Sequence, residues 1–117
     1  MEIAVQAENN CLVIKATGRL DTNTASEFKQ RCDDCFSVTV KKIILDFSQL
    51  EYISSAGLRC ILSMANKLRA NGGSLVLCGL SGLVEEVIRI SGFDNFIPNF
   101  ADVDHAMRGG TEGQVPM

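Results

Sequence analysis

The chain has 117 residues, of which 46% are hydrophobic and 21% charged, and its formal net charge is −3 at pH 7. This length and composition predict one folded domain with its own core and exclude a wholly disordered chain. The acidic balance and the scattered lysines and arginines argue against nucleic-acid binding. No apolar run is long enough to cross a bilayer, and no secretion signal opens the sequence. We therefore expect a cytoplasmic protein that does not insert into membranes.

The chain contains five cysteines. A framework of disulfides would need an even number, so the count does not favour one. Cys32-Asp33-Asp34-Cys35 has the spacing C-x-x-C, but no second such motif occurs and both cysteines lie on the apolar stripe of a predicted helix. We interpret them as reduced structural residues, and we expect neither a metal site nor a cofactor.

The first half of the chain begins with a predicted hairpin. Residues 2–8 alternate between apolar and polar side chains, Glu8-Asn9-Asn10 is a turn signal, and residues 11–17 are rich in strand-forming residues. We expect Gly18 to end the second strand. The polar segment that follows offers several N-caps for a helix from about Thr24 to Phe36.

The second half alternates between strands and helices. The run Ile43–Phe47 is apolar without alternation, as in a strand that is covered on both faces. The best-marked helix follows it, because apolar residues recur at helical spacing from Leu58 to Leu68 before Asn71-Gly72-Gly73 stops it. Further predicted elements are a strand at 75–78, a helix at 83–90, a short edge strand at 96–98 and a helix at 101–107.

This order of elements predicts the fold class and the domain limits. We expect an α/β protein with a mixed sheet of four to five strands, an N-terminal hairpin and about four helices packed against the sheet. The domain is predicted to span residues 1–108. Residues 109–117 are polar and rich in glycine, and we expect them to form a flexible C-terminal tail.

Ser54 and Ser55 lie between the central strand and the best-marked helix. Free N–H groups and the helix dipole favour negative charge at such a position, whether bound or covalently attached. A phosphate switch, a nucleophile and a simple helix cap are all compatible with two serines there. A nucleophile is disfavoured, because the G-x-S-x-G spacing is absent and His105 is the only histidine that could act as a base. We therefore do not expect an enzyme.

Four segments carry a more specific pattern: Gly18-x-Leu20-Asp21, Ile44-Leu45-Asp46-Phe47-Ser48, Tyr52-Ile53-Ser54-Ser55-Ala56-Gly57-Leu58 and Gly72-Gly73. Together they resemble the STAS domain, and more narrowly the bacterial anti-sigma factor antagonists, over roughly residues 2–108. The resemblance implies a STAS fold and a partner-switching function. In that function, the unphosphorylated antagonist binds a serine-kinase anti-sigma factor, the kinase phosphorylates it, and a PP2C-type phosphatase reverses the modification.

The resemblance also assigns site residues. By position, Ser55 matches the phosphoacceptor and Ala56 the small residue after it, whereas Ser54 stands where many members carry aspartate and becomes a second, less favoured acceptor. Loops after parallel strands meet at one sheet edge, so we expect the partner to contact Asp21, Thr22, Asn23, Ser54, Ser55, Ala56, Gly57, Arg59, Gly79, Leu80 and Ser81. Gly57 would let a partner backbone approach, and Arg59 could reach a phosphate on Ser55.

A second hypothesis is a STAS module without a phosphorylation cycle that docks to a membrane transporter or a lipid-trafficking complex. The missing aspartate at Ser54 fits this hypothesis. The retained Ser55 favours the antagonist, and so does our expectation that the chain contains nothing besides the domain. We expect a monomer in either case.

Overall fold

The structure is a computed structural model that describes residues 1–8, 11–36 and 40–109. Its described residues form five strands and four α-helices: β1 Glu2–Glu8, β2 Cys11–Leu20, α1 Ala25–Cys35, β3 Lys42–Ile53, α2 Ser55–Ala70, β4 Ser74–Cys78, α3 Gly82–Ser91, β5 Asn99–Phe100 and α4 Val103–Gly109. A short 3-10 turn at Phe93–Asn95 lies between α3 and β5. The predicted α/β fold class is confirmed.

The strands form one mixed sheet in the order β1-β2-β3-β4-β5. β1 pairs antiparallel with β2, which confirms the predicted hairpin, and the other neighbours are parallel. Parallel neighbours need a crossover connection, and α1, α2 and α3 supply these connections in turn. The residues of the predicted turn, Asn9 and Asn10, lie outside the described ranges.

Two strands are longer than predicted. β2 continues past Gly18 to Leu20, and β3 continues through polar residues to Ile53. The cause is pairing between the two strands, which places Arg19 beside Tyr52 and Leu20 beside Ile53 after an irregularity in the ladder. Tertiary pairing therefore overrides the weak local signal of these residues.

The C-terminal elements are shifted by about two residues from their predicted positions. The edge strand is Asn99–Phe100 rather than 96–98, because the N–H groups of residues 96 and 97 donate to the Phe93 carbonyl at 3.1 and 2.8 Å and Pro98 has no N–H to donate. The last helix runs to Gly109, which the sequence assigned to the tail. Residues 110–117 of the predicted tail lie outside the described ranges.

The two faces of the sheet pack against different numbers of helices. Its inner face packs against α1, α2 and α3 in a large apolar core whose fully buried members include Phe28, Phe47, Ile61, Leu68, Leu77 and Ile88. Its outer face, which we define by Val13, Ile44, Val76 and Cys78, packs against Ala106 of α4 in a smaller cluster. β3 and β4 are thus buried on both faces, as their unalternating apolar sequences predicted.

The cysteines fit a structural role only in part. All five are free thiols, and Cys32, Cys60 and Cys78 are buried, whereas Cys35 is half-buried at the end of α1. The C-x-x-C motif therefore contributes only Cys32 to the core. Within the described ranges, no group of three or more acidic, histidine or cysteine side chains is placed to hold a metal ion. The helices described here are also too short or too polar to span a membrane.

Candidate partner-binding site

Ser54 is the N-cap of α2. Its backbone is extended (φ −100°, ψ 177°), and its hydroxyl accepts a hydrogen bond from the N–H of Gly57 at 3.3 Å. Its own N–H donates to the Leu20 carbonyl at 2.9 Å, which joins the start of α2 to the end of β2. Serine and aspartate are both strong N-cap residues. The serine therefore keeps the cap that the family's aspartate would make and loses only its charge.

Ser55 is the first residue of α2 and is exposed. Among the described residues, no side-chain hydrogen bond involves its hydroxyl, in contrast to that of Ser54. The free N–H groups and the positive end of the α2 dipole surround this position. A negative group on Ser55 would therefore be stabilised locally, and adding it would not break the cap.

The loop between β2 and α1 lies beside this helix start. Asp21 Oδ1 accepts hydrogen bonds from the backbone of Asn23 at 3.0 Å and of Thr24 at 3.2 Å. Desolvation raises the pKa of Asp21, but these hydrogen bonds and the charge of Arg19 outweigh it and hold the pKa below its usual value. The exposed side chains of Thr22 and Asn23 thus sit on a loop that an ionised carboxylate orders.

Gly57 is required by packing inside the domain, a role that the sequence did not predict; its contact with a partner stays a prediction. It is buried, and a Cβ atom on it would lie 2.8 Å from Leu20 Cγ and 2.9 Å from Ile53 Cγ1. The missing side chain lets the first turn of α2 pack closely against the ends of β2 and β3. The neighbouring Ala56 is half-buried, and Arg59 is exposed one turn after Ser55.

The segment Gly79–Ser81 is not placed next to the serines through the strand register, although the sequence grouped them. Cys78, the last residue of β4, pairs with Asp46, whereas Leu20 at the end of β2 pairs with Ile53. The two β3 residues, Asp46 and Ile53, are seven positions apart, roughly 20 Å along an extended strand.

Gly79 instead packs against β3 at a lower level. Its φ of +74° favours glycine, and a Cβ atom there would lie 2.9 Å from Ser48 Cβ. Together with Asp46 and Asp102 it lines a cleft of about 360 Å³. In the same connection Leu80 is half-buried and Ser81 is exposed at the N-cap of α3. Gly79 therefore lies at a lower level of β3 than the serines, whereas the loop after β2 adjoins them through the hydrogen bond from Ser54 to Leu20; a shared partner surface that includes residues 79–81 stays a prediction.

Known proteins resemble this chain over most of its length. The family model for the STAS domain matches residues 2–106. The chain belongs to the STAS domain family. A relative from Bordetella bronchiseptica, which carries the name anti-sigma factor antagonist BtrV, is 34% identical over 98 residues, or 84% of each chain.

Two solved structures share the STAS fold. An anti-sigma factor antagonist from Mycobacterium paratuberculosis superposes with a TM-score of 0.84 at 20% identity, covering 92% of this chain and 91% of that one. The Bacillus cell fate determinant SpoIIAA in its phosphorylated form gives 0.71 at 21% identity, covering 92% and 98%. The STAS fold predicted from the sequence is thereby confirmed.

Sequence reasoning missed one feature of the site in this STAS domain. The guanidinium carbon of Arg19 lies 4.3 Å from the centroid of the Tyr52 ring, and Arg19 Nε lies 3.6 Å from Asp21 Oδ2. Stacking and charge together hold this cation beside the loop. The pairing of Arg19 with Tyr52 depends on the β2–β3 register, so no local sequence pattern predicts it.

Proposed function

We propose that this STAS domain is an anti-sigma factor antagonist that acts in the cytoplasm by partner switching. Its unphosphorylated form binds a serine-kinase anti-sigma factor, phosphorylation of Ser55 releases that kinase, and a PP2C-type phosphatase resets the switch. The observation that carries the proposal is the contrast at the start of α2. Ser55 is exposed and its hydroxyl makes no hydrogen bond within the part of the chain that the structure describes, whereas the hydroxyl of Ser54 is engaged in the helix cap.

The physical effect of the phosphate would fall on the partner rather than on the fold. A phosphate adds about −1.5 to −2 charges at pH 7. The α2 dipole stabilises this charge, and Arg59 lies one turn away on the same helix. In a complex, the same group would be a bulky dianion within the interface. Its repulsion and desolvation would weaken binding by several kcal/mol, on the order of a hundredfold or more.

To test the proposal, four proteins are incubated with the cognate serine kinase and ATP. These are the wild type, Ser55→Ala, Ser54→Ala and, as a matched control, Ser63→Ala, which changes an exposed serine farther along α2. Mass spectrometry should find one phosphate, on Ser55, in every protein except Ser55→Ala. A phosphate on Ser54 of the wild type would reassign the acceptor.

Binding to the kinase is measured in parallel by isothermal titration calorimetry. The unphosphorylated wild type should form a complex, and the phosphorylated protein should bind about a hundredfold more weakly or worse. No phosphate together with no complex would overturn the antagonist function. Such a result would favour a module that docks without a phosphorylation cycle.

A further inference from the structure

The helix α4 is the one described helix on the outer face of the sheet. It has seven residues, too few for a stable helix without tertiary support. Ala106 is its one fully buried side chain, and Val103 and Met107 are half-buried against the outer-face cluster. The apolar area that holds α4 is therefore small compared with the core on the inner face.

Lys42, at the start of β3, contacts α4, and this contact could not be predicted from its position in the sequence. Its exposed fraction is 4%, and it is the one charged residue that is buried among those described. Its Nζ donates to the Ala106 carbonyl at 2.6 Å and lies 3.5 Å from the Met107 carbonyl. Carbonyls in a last helical turn lack partners inside the helix and attract cations. Lys42 thus caps the C-terminus of α4.

Asp102 makes a separate polar contact at the N-terminal end of α4. Asp102 Oδ1 accepts a hydrogen bond from the His105 backbone at 2.9 Å and lies 2.7 Å from His105 Nδ1. The helix is therefore held by one polar contact at each end and a short apolar strip between them. When α4 packs on the sheet, the ammonium group of Lys42 loses water and gains contacts with carbonyl groups. The cost of burying its charge therefore offsets part of the favourable free energy of this packing.

We propose that α4 is a cover that opens independently of the rest of the fold, with Lys42 as its latch. Opening would uncover the outer face, while the inner-face core that positions Ser54 and Ser55 stays folded. Segments with few buried contacts open at a lower free energy than the whole domain. The proposal does not depend on the phosphorylation switch.

Two buried thiols provide a matched test. Cys78 lies under α4 and Cys32 lies in the inner-face core. Burial raises the pKa of each thiol to about 12, so neither reacts while covered. In native buffer, the wild type is exposed to iodoacetamide and the modification of each cysteine is followed by mass spectrometry. Cys78 should react at least tenfold faster than Cys32. Equal rates would show that α4 opens only when the whole domain unfolds.

The latch is tested with Lys42→Met, which keeps the aliphatic stem and removes the donors. Loss of this charge-assisted contact should accelerate Cys78 modification by about tenfold without changing Cys32. The control is Lys41→Met, which removes the exposed neighbouring lysine and should change neither rate. An unchanged Cys78 rate in Lys42→Met, or an equal acceleration of both cysteines, would overturn the role of Lys42.

A second variant covers the case in which Lys42→Met does not fold. Asp102→Ala removes the contact at the opposite end of α4 and leaves the buried lysine in place. Because the charge of Asp102 also helps to raise the pKa of Cys78, opening in this variant is followed by amide hydrogen exchange, which should accelerate in α4 and not in the inner-face core. Equal acceleration in α4 and in the core would contradict independent opening.

Discussion

The two serines at the start of α2 show how neighbouring residues of one type acquire different chemistry. Ser54 has an extended backbone, so its hydroxyl turns back to the helix and accepts from Gly57. Ser55 is already helical and exposes its hydroxyl. The resemblance to the family predicts Ser55 as the phosphoacceptor, and the cap geometry gives a physical reason to expect Ser54 to be the poorer phosphoacceptor.

Gly57→Ala should destabilise the protein although alanine is the better helix former. The propensity gain is about 1 kcal/mol. The added Cβ would lie 2.8 Å from Leu20 Cγ and 3.1 Å from the Leu20 carbonyl, so the first turn of α2 must move away from β2. Overpacking of this kind costs about 1–3 kcal/mol. We expect a net loss in the free energy of unfolding, measured by urea titration.

Ser63→Ala is the matched control for this variant, since it changes an exposed position of the same helix. It should be neutral or slightly stabilising. A Gly57→Ala protein that is more stable than the wild type would show that the close approach of α2 to Leu20 is not tight in solution.

At the scale of the elements, α1 and α2 are joined by a cation–carboxylate cluster around Asp33. Lys29 Nζ lies 2.9 Å from one carboxylate oxygen, and Lys67 Nζ on α2 lies 3.4 Å from the other. The hydrogen bond from Lys29 is the main cause that lowers the pKa of Asp33, with Lys67 adding to it. The cluster is partly exposed, so its contribution to stability is small.

Asp33→Asn should lower the free energy of unfolding at pH 7 by about 0.5 kcal/mol. Because the folded-state pKa of Asp33 lies below its unfolded value, the ionised pairs stabilise the protein above the unfolded pKa. That stabilisation is lost as the pH falls through the folded-state pKa. Urea titrations between pH 7 and pH 2 should therefore show the wild type and the variant converging in acid.

Asp34→Asn is the control, because Asp34 accepts from the neutral Gln30 side chain and not from a lysine. It should show a smaller difference at pH 7. A difference between wild type and Asp33→Asn that persists at the acid end would mean that charge pairing is not the cause.

At the scale of the whole molecule, the proposed switch and the proposed cover lie on different parts of the fold. The start of α2 is anchored to β2 and the inner-face core, whereas α4 lies on the outer face. A change at one place should therefore leave the other intact. The expected monomer stays a prediction, which sedimentation velocity would measure.

Ser55→Asp should leave the fold unchanged and act only on binding. The exposed side chain and the N-terminal position make a negative charge there neutral or mildly stabilising, within about 0.5 kcal/mol. We expect an unaltered thermal midpoint and an unaltered Cys78 modification rate, together with weaker kinase binding. A large drop in the midpoint would instead indicate that Ser55 supports the helix itself.

The sequence by itself determined the hairpin, the alternation of strands and helices, and the position of Ser55 in the first turn of a helix. These follow from periodicity, glycine stops and a family motif, all of which are local in the chain. Only the tertiary structure decided that β3 reaches Ile53, because its last residues are held by pairing with β2. That length separates Gly79 from the serines along the strand. The burial of Lys42 was likewise decided by the tertiary structure. The Ala106 carbonyl that accepts its hydrogen bond lies far along the chain, and only folding brings the two together.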